Sequence, residues 1–357
     1  MDVLDSVVIG AGQAGLSTSY HLARRGIDHV VLDADDAPGG AWQHRWDSLT
    51  MHDVHGVAAL PDAVAVAADD AARANLAVPT YFAAYEREHR LPVLRPVHVD
   101  RVRDDDGLLL VEAGDRSWRT RTLVNATGTW SHPFVPHYPG VETFTGPQWH
   151  TAGYPGAEAF RGLRTVVVGG GASAVQLLGE IALVTDTVWV TRRPPVWRSD
   201  DFTPEAGRAA VALVEERVRR GLPPASVVSV TGLALREQER AAQAVGAYRR
   251  RPMFTSVGPH EVRWADGSTE PVDAIVWATG FRPAVGHLGP LRLRSPRGGI
   301  ELDGTTAVAD RRVQLVGYGP SASTIGANRA GRLAALRVAE TLGSGHGEAD
   351  PDRVRAS

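Results

Sequence analysis

The sequence predicts an α/β fold built from two strand–turn–helix units with a small antiparallel β meander between them. Three observations carry this. Glycines cluster after apolar runs at Gly10–Gly15 and again at Gly169–Gly171. The second cluster repeats the order of the first roughly 160 residues further on. The stretch between them alternates apolar and polar residues around an acidic turn.

Ser6 to Gly26 opens with the apolar Val7, Val8 and Ile9, then the glycines, then a helical pattern closed by Gly26, which suits a helix C-terminus. His29 to Asp33 reads as a short buried strand, and Tyr81 to Arg90 as a helix. From Pro96, alternating runs flank Asp104-Asp105-Asp106-Gly107, which reads as a solvated hairpin turn. Arg164 to Ile181 repeats strand, glycines and helix, and Thr187 to Arg193 is its next strand. Thr203-Pro204-Glu205 offers an N-cap, an early proline and an early acid. Val211, Val214 and Val218 then fall at helical spacing before Gly221. Arg236 to Ala247 is a further helix, and Asp266-Gly267 a hairpin turn before a buried strand. Val313 to Gly319 is a late strand and Ser321 to Leu342 a last helix; the polar stretch 343–357 is expected to be disordered.

The two glycine clusters carry chemistry. Gly10-Ala11-Gly12-Gln13-Ala14-Gly15 is GxGxxG: Gly10 permits the tight turn, Gly12 lets the backbone approach a pyrophosphate, and Gly15 lets helix and strand pack closely. The helix that follows offers free N–H groups and a partial positive charge. Asp33, at the end of the next strand, suits a ribose diol. Gly169-Gly170-Gly171-Ala172-Ser173-Ala174 is GxGxxA, with Gly169 and Gly171 as its first two glycines and Ser173 in the first helical turn. Its next strand ends in Thr191-Arg192-Arg193 and not in an acid. Arginine binds a 2′-phosphate bidentately where an acid would repel it, so this site favours NADPH over NADH. One site then suits a bound FAD and the other a nicotinamide hydride donor.

Composition removes competing chemistries. All 38 basic side chains are arginine, and the chain has neither lysine nor cysteine. Disulfides, Cys-ligated metal clusters and thiolate nucleophiles are excluded, as are Schiff-base and phosphate-loop lysines. Two-nucleotide disulfide reductases need a redox-active cysteine pair, so the electrons here go elsewhere. The net charge of −3 gives no basic field for nucleic acid. No apolar run approaches the ~20 residues of a membrane span, and no signal peptide is visible, so a cytoplasmic location is expected. The 13 histidines show no HxxxH-type spacing beside carboxylates, so no metal site is expected. Arg249-Arg250-Arg251 reads as a solvated face, with a contact to the NADPH phosphates as the alternative.

Between the glycine clusters, Phe144-Thr145-Gly146-Pro147-Gln148-Trp149-His150-Thr151-Ala152-Gly153-Tyr154 resembles the FxGxxxHxxxY linker fingerprint of flavin-containing and Baeyer–Villiger monooxygenases. Tyr154 is closer to the N- or S-oxygenating form. Gly39-Gly40-Ala41-Trp42 and Trp46-Asp47-Ser48-Leu49 are similar to the family's segment beside the flavin. Ala126-Thr127-Gly128 and Ala278-Thr279-Gly280-Phe281 resemble its two crossovers between domains. The likeness runs from Val7 to about Leu342, and is nearest to short bacterial flavin monooxygenases of the CzcO-like and arsenic-operon-associated groups.

The resemblance implies two Rossmann-like dinucleotide-binding domains. The FAD domain is discontinuous, 1–162 plus 283–357, and the NADPH domain, 163–282, is inserted. It implies cofactor contacts from Gly40, Trp42, Thr127, Gly128, Thr279, Gly280, Gly319 and Ser323. It implies that His150 mainly organises the NADPH side. The family usually carries an asparagine beside the flavin; Leu49-Thr50-Met51-His52-Asp53 has none, which leaves His52 and Asp53 as catalytic candidates, with bound NADP+ in that role as the alternative. The implied reaction is NADPH-dependent oxygenation of a small soft nucleophile, N or S, by a C4a-(hydro)peroxyflavin, with molecular oxygen as co-substrate. Baeyer–Villiger oxygenation of a ketone and an NADPH-dependent flavin reductase with a non-oxygen acceptor are the alternatives. Neither the substrate nor the oligomeric state is legible.

Overall fold

The computed structural model describes every residue except 1, 55, 198–203, 225–231, 234 and 345–357. Its first layer grows from β1 (Val3–Ile9), α1 (Gln13–Ala23) and β2 (His29–Leu32). The C-terminal half of β1 and all of β2 are buried, as apolar parallel strands covered on both faces must be. β1 pairs in parallel with β2 on one side and with β6 (Arg116–Asn125) on the other. β3 (Val93–Leu94) extends the sheet beyond β2, and β17 (Asp310–Leu315) pairs in parallel with β6. The short β15 (Leu302–Asp303) and β16 (Thr306–Ala307) complete that edge. β4 (Arg101–Asp105) and β5 (Leu108–Ala113) fold antiparallel onto β6, the expected meander, giving nine strands in all.

α1 is buried along almost its whole length, because α6 (Thr324–Ser344) lies against it. Small side chains permit this. A Cβ on Gly331 of α6 would come within 2.6 Å of Ser17 Oγ. α2 (Ala74–Glu88) sends Val78, Phe82 and Tyr85 into the core that α1 and α6 share. It starts earlier than the expected Tyr81. Ala74, Val78, Phe82 and Tyr85 form its buried stripe, a periodicity that Pro79 interrupts in the sequence.

The second layer is a five-stranded parallel sheet, β10-β9-β8-β14-β7. It contains β8 (Thr165–Val168), β9 (Thr187–Thr191), β10 (Arg250–Pro252) and β14 (Ala274–Trp277). Its edge strand β7 (Gln148–His150) lies ahead of the expected boundary at 163. α3 (Ala172–Ile181) follows β8 as α1 follows β1, and packs on α5 (Glu237–Ala244). α4 (Pro204–Arg219) buries Val214 and Val218 and ends before Gly221, whose φ is +66°. A separate antiparallel sheet holds β11 (Ser256–Val257), β12 (Glu261–Arg263) and β13 (Thr269–Pro271), the last two joined through Asp266-Gly267.

Two expectations need correction. The acidic triplet is not all turn: only Asp106 (φ +51°) and Gly107 (φ +84°) form the two-residue loop. Asp104 and Asp105 sit in β4 and pair with Arg312 and Arg119, at 2.7 and 2.8 Å. Gly343 does not begin a disordered tail, since α6 runs through it to Ser344. The rest of that tail, and Thr203, lie outside the described residues.

Burial holds several imidazoles neutral. It lowers the pKa of His29, and takes His21 and His287 down to about 4. The unfolded chain, with ordinary values near ~6.5, therefore binds more protons than the native state over this range. Their contribution to stability is complete above about pH 6.5 and is lost as pH falls toward about 4. The midpoint of urea unfolding should drop between pH 7 and pH 5; a flat or rising midpoint would contradict these neutral burials.

Candidate active-site cleft

A cleft of about 690 Å³ opens at the C-terminal ends of β1, β2 and β6, where open parallel sheets bind ligands. Gly10, Gly12, Asp33, Gly40, Trp42, Thr127, Gly128 and Ser323 all line it. Gly10 has φ +100°, and a Cβ there would sit 2.7 Å from the Ala126 carbonyl oxygen. A Cβ on Gly15 would sit 1.9 Å from the Gly10 carbonyl oxygen. These two glycines serve the backbone packing. Gly12 differs: the nearest atom to its Cβ position is Gly40 Cα, at 4.0 Å. It leaves open space beside the first turn of α1, which has no side-chain N-cap and no acid. Free N–H groups and a positive dipole end at an open cleft suit a dinucleotide diphosphate.

Asp33 is buried at the far side of this glycine turn. Its Oδ1 accepts the Ala11 N–H at 3.2 Å, and its Oδ2 accepts Arg95 Nε at 2.7 Å. Arg95 also holds Glu86 through both of its terminal nitrogens, at 2.7 and 2.6 Å. Burial raises the Asp33 pKa, and the Arg95 guanidinium opposes that rise. A carboxylate accepts about four hydrogen bonds, so lone pairs remain for a ribose diol. Nothing in the sequence linked Arg95 to Asp33, because that pairing depends on β3 lying beside β2.

The two crossovers are built alike. Ala126 N–H donates to the Ile9 carbonyl, and Ala278 N–H donates to the Val168 carbonyl, both at 2.8 Å. Gly169, φ +145°, repeats Gly10: its Cβ would lie 2.1 Å from the Ala278 carbonyl oxygen. The crossovers then clasp one another. The Thr127 hydroxyl donates to the Ala284 carbonyl at 2.6 Å, and the Thr279 hydroxyl donates to the Phe134 carbonyl. Pro133 and Phe281 form an antiparallel bridge. Thr279 and Gly280 thus bind the strands that join the layers, and they do not line the 690 Å³ cleft.

His150 belongs to the same clasp. The Ala152 N–H donates to its Nδ1 at 3.1 Å, so Nε2 carries the proton and donates to the Gly280 carbonyl at 2.9 Å. Burial lowers its pKa, which keeps the ring neutral. Both nitrogens are engaged, so His150 orients a crossover. Tyr154, which closes the linker fingerprint, is buried and donates to Glu180 of α3 at 3.1 Å. Ser48 donates to the same carboxylate at 2.7 Å, and Trp46 meets the Tyr154 ring edge-on at 6.1 Å. The fingerprint therefore ends in a lock between the Ser48–Tyr154 side and α3.

At the second glycine turn, Gly171 has nothing within 4 Å of its Cβ position, and α3 begins without a side-chain cap or an acid. Ser173 sits half-buried in its first turn. Arg192 and Arg193 are exposed just past β9 and pair with no acid among the described residues. The neighbouring Arg250 and Arg251 are already engaged. Arg250 Nε donates to Thr191 Oγ1 at 2.7 Å, while Arg251 pairs with Glu270 at 2.7 Å and covers the Trp264 ring. Neither the solvated-face reading nor the phosphate reading of that run describes these two.

His52 and Asp53 do not line the cleft. His52 is exposed. Asp53 is buried and accepts the Thr50 hydroxyl at 2.7 Å, while its carbonyl accepts Gln176 at 3.3 Å and also Arg236. Their segment ties the two layers together. Gly319 faces α4: its Cβ would meet Val218 Cγ2 at 2.6 Å. Ser323 accepts the Gly326 N–H at 3.1 Å, capping α6 where that helix opens on the cleft. Sequence reasoning did not single out Arg45, Trp130 or His287, which also line it. Arg45 and Trp130 stand just outside motif segments and His287 a few residues past one, at positions that the motifs leave unspecified.

Arg95→Ala should leave the buried Asp33 carboxylate and the partly buried Glu86 carboxylate without their shared cation and cost about 3–5 kcal/mol, read from urea unfolding. His150→Gln should lower activity without moving the pH profile of kcat; a lost ionisation near ~6.5 would make His150 an acid–base group after all.

The chain matches the pyridine nucleotide-disulphide oxidoreductase family over residues 7–307. It is 37% identical to a flavin-containing monooxygenase from Stenotrophomonas maltophilia, with a TM-score of 0.83, covering 96% of this chain and 100% of that one. It is 25% identical over 288 residues to the oxidoreductase CzcO of Bacillus subtilis (strain 168), covering 78% of this chain and 81% of that protein. It is 26% identical over 332 residues to the indole-3-pyruvate monooxygenase YUCCA4 of Oryza sativa subsp. japonica, covering 80% and 76%. The chain belongs to the pyridine nucleotide-disulphide oxidoreductase family, and within it to the bacterial flavin-containing monooxygenases of the CzcO-like group.

Proposed function

We propose that this enzyme uses FAD and NADPH to transfer one oxygen atom of dioxygen to a small soft nucleophile, N or S, the other atom leaving as water. The observation that carries this is the pair of uncapped helix N-termini behind Gly12 and Gly171. One is followed by a buried acid and the other by two exposed arginines that pair with no acid among the described residues, in a chain without cysteine. The chain can form no disulfide to accept electrons, so the reducing equivalents of NADPH pass to an acceptor from solution.

Bound in the cleft, FAD supplies the two-electron and oxygen chemistry. The chain supplies position and field. The α1 N-terminus takes the diphosphate, and Asp33, held by Arg95, takes the ribose hydroxyls. The α3 N-terminus takes the NADPH diphosphate, and Arg192 and Arg193 take its 2′-phosphate. Ser323 and Thr324 bring the positive end of α6 to the cleft wall, which favours negative charge developing there. The Glu180 lock and the clasped crossovers hold the two layers in register and limit the entry of water. His150 moves no proton; it holds the Gly280 carbonyl.

Tyr154 at the end of the linker fingerprint favours N or S over a ketone. Turnover under labelled dioxygen with a panel of thioethers, amines and ketones should place one labelled oxygen in the product for each NADPH oxidised. Undiminished NADPH oxidation without oxygen, or peroxide formed in equal amount to NADPH with every substrate, would overturn the reading. Arg192→Ala with Arg193→Ala should raise the KM for NADPH at least ~10-fold and leave the KM for NADH nearly unchanged. Equal effects on both would remove the 2′-phosphate assignment.

A further inference from the structure

Arg45 has no role in the account above, and its surroundings are unusual for a cation. It sits one turn beyond Gly40–Trp42, its N–H donating to the Trp42 carbonyl at 3.1 Å, and its side chain lines the cleft. The guanidinium carbon lies 4.4 Å from the Trp130 ring centre and 5.6 Å from that of Trp42. Two indole faces stabilise a cation but offer no acceptor in the plane of its N–H fork. The acids nearby in sequence are engaged. Asp35 takes His44 and Gln43, each at 2.9 Å, and Asp47 takes Arg73 and Asn75. No described carboxylate pairs with Arg45, and its Nε is buried with no hydrogen-bond partner among the described residues. Burial lowers its pKa to about 10, so it stays charged at neutral pH.

A partly buried cation whose Nε is shut away from water without a partner is costly, and the cost is offset when an anion occupies the site. The position says which anion. The turn that carries Arg45 packs on the glycine loop ahead of α1: a Cβ on Gly40 would come within 2.8 Å of Gly12 Cα. The cation and the helix N-terminus thus belong to one continuous wall. The chain has no lysine, and Arg45 is the one arginine among the described residues that line this cleft.

We propose that Arg45 binds a phosphate oxygen of the FAD diphosphate, completing with the α1 N-terminus a two-sided anion site. This rests on the reading of the cleft as the FAD site. Trp42 and Trp130 hold the guanidinium in place, so little side-chain freedom is lost on binding.

The test follows FAD release from the holoenzyme on dilution, by flavin fluorescence. Arg45→Gln should weaken FAD binding roughly 10- to 100-fold. Arg45→Met, which keeps the apolar stem between the indoles, is the second variant should the first not fold, and should lose affinity alike. The Kd for NADP+ should not change in either. In competition with FAD for the flavin-stripped full chain, ADP should lose affinity with the variants, and adenosine should not. A wild-type enzyme that retains FAD beside variants that retain it equally would overturn the inference and leave the cleft reading intact. A wild-type enzyme that binds no FAD would overturn both. Variants weakened for NADP+ or an anionic product, with FAD unaffected, would give Arg45 to another ligand and overturn it as well.

Discussion

Two places where backbone lies directly on backbone govern the rest of this molecule. At each, the first glycine after a central strand passes under the alanine carbonyl of a crossover, Gly10 under Ala126 and Gly169 under Ala278. No side chain fits at either point. The contact brings the crossover over the end of the strand, so that the next residue, Thr127 or Thr279, can reach the opposite crossover with its hydroxyl. The same glycine turn leaves the following helix uncapped and facing outward. Close packing and an anion-binding helix end therefore have one cause.

The second consequence is mechanical. A two-nucleotide enzyme must hold its donor and acceptor sites at a defined separation, and single linkers are poor at that. Here the linker is reinforced from several directions. Glu180 gathers Ser48 and Tyr154, the Asp53 carbonyl gathers Gln176 and Arg236, and His150 holds Gly280. Most of the residues that look catalytic by type take part in this reinforcement. A buried polar side chain with every hydrogen-bonding position engaged is a fastener, whatever its chemistry in isolation.

Much of the architecture was legible along the chain because the signals were local. GxGxxG between a strand and a helix, the acid ending β2, and the repeated pattern at Gly169 each span a few residues with a known physical requirement. The hairpin loop shows the limit of such reading. Four turn-like residues stood at 104–107, and the fold uses only two of them as loop. Asp104 and Asp105 joined the strand because Arg312 and Arg119 arrive from elsewhere in the sheet. In the same way, Gly319 stood in a motif resembling a cofactor contact, and packing of α4 gave it another task.

By itself the sequence determined the two glycine turns, the order of the elements, the contrast of acid and arginine at the two sites, and the exclusion of thiol chemistry. Those properties depend on residue type and short spacing. The tertiary structure alone decided which polar groups remain free to meet a ligand. Arg95 became a partner of Asp33, His150 a neutral clasp and Asp53 an interlayer tie, while Arg45 was left charged, stacked and without a carboxylate partner among the described residues at the cleft. That division has a physical reason. The availability of a buried group depends on what the rest of the chain places around it, and those neighbours come from positions tens to hundreds of residues away.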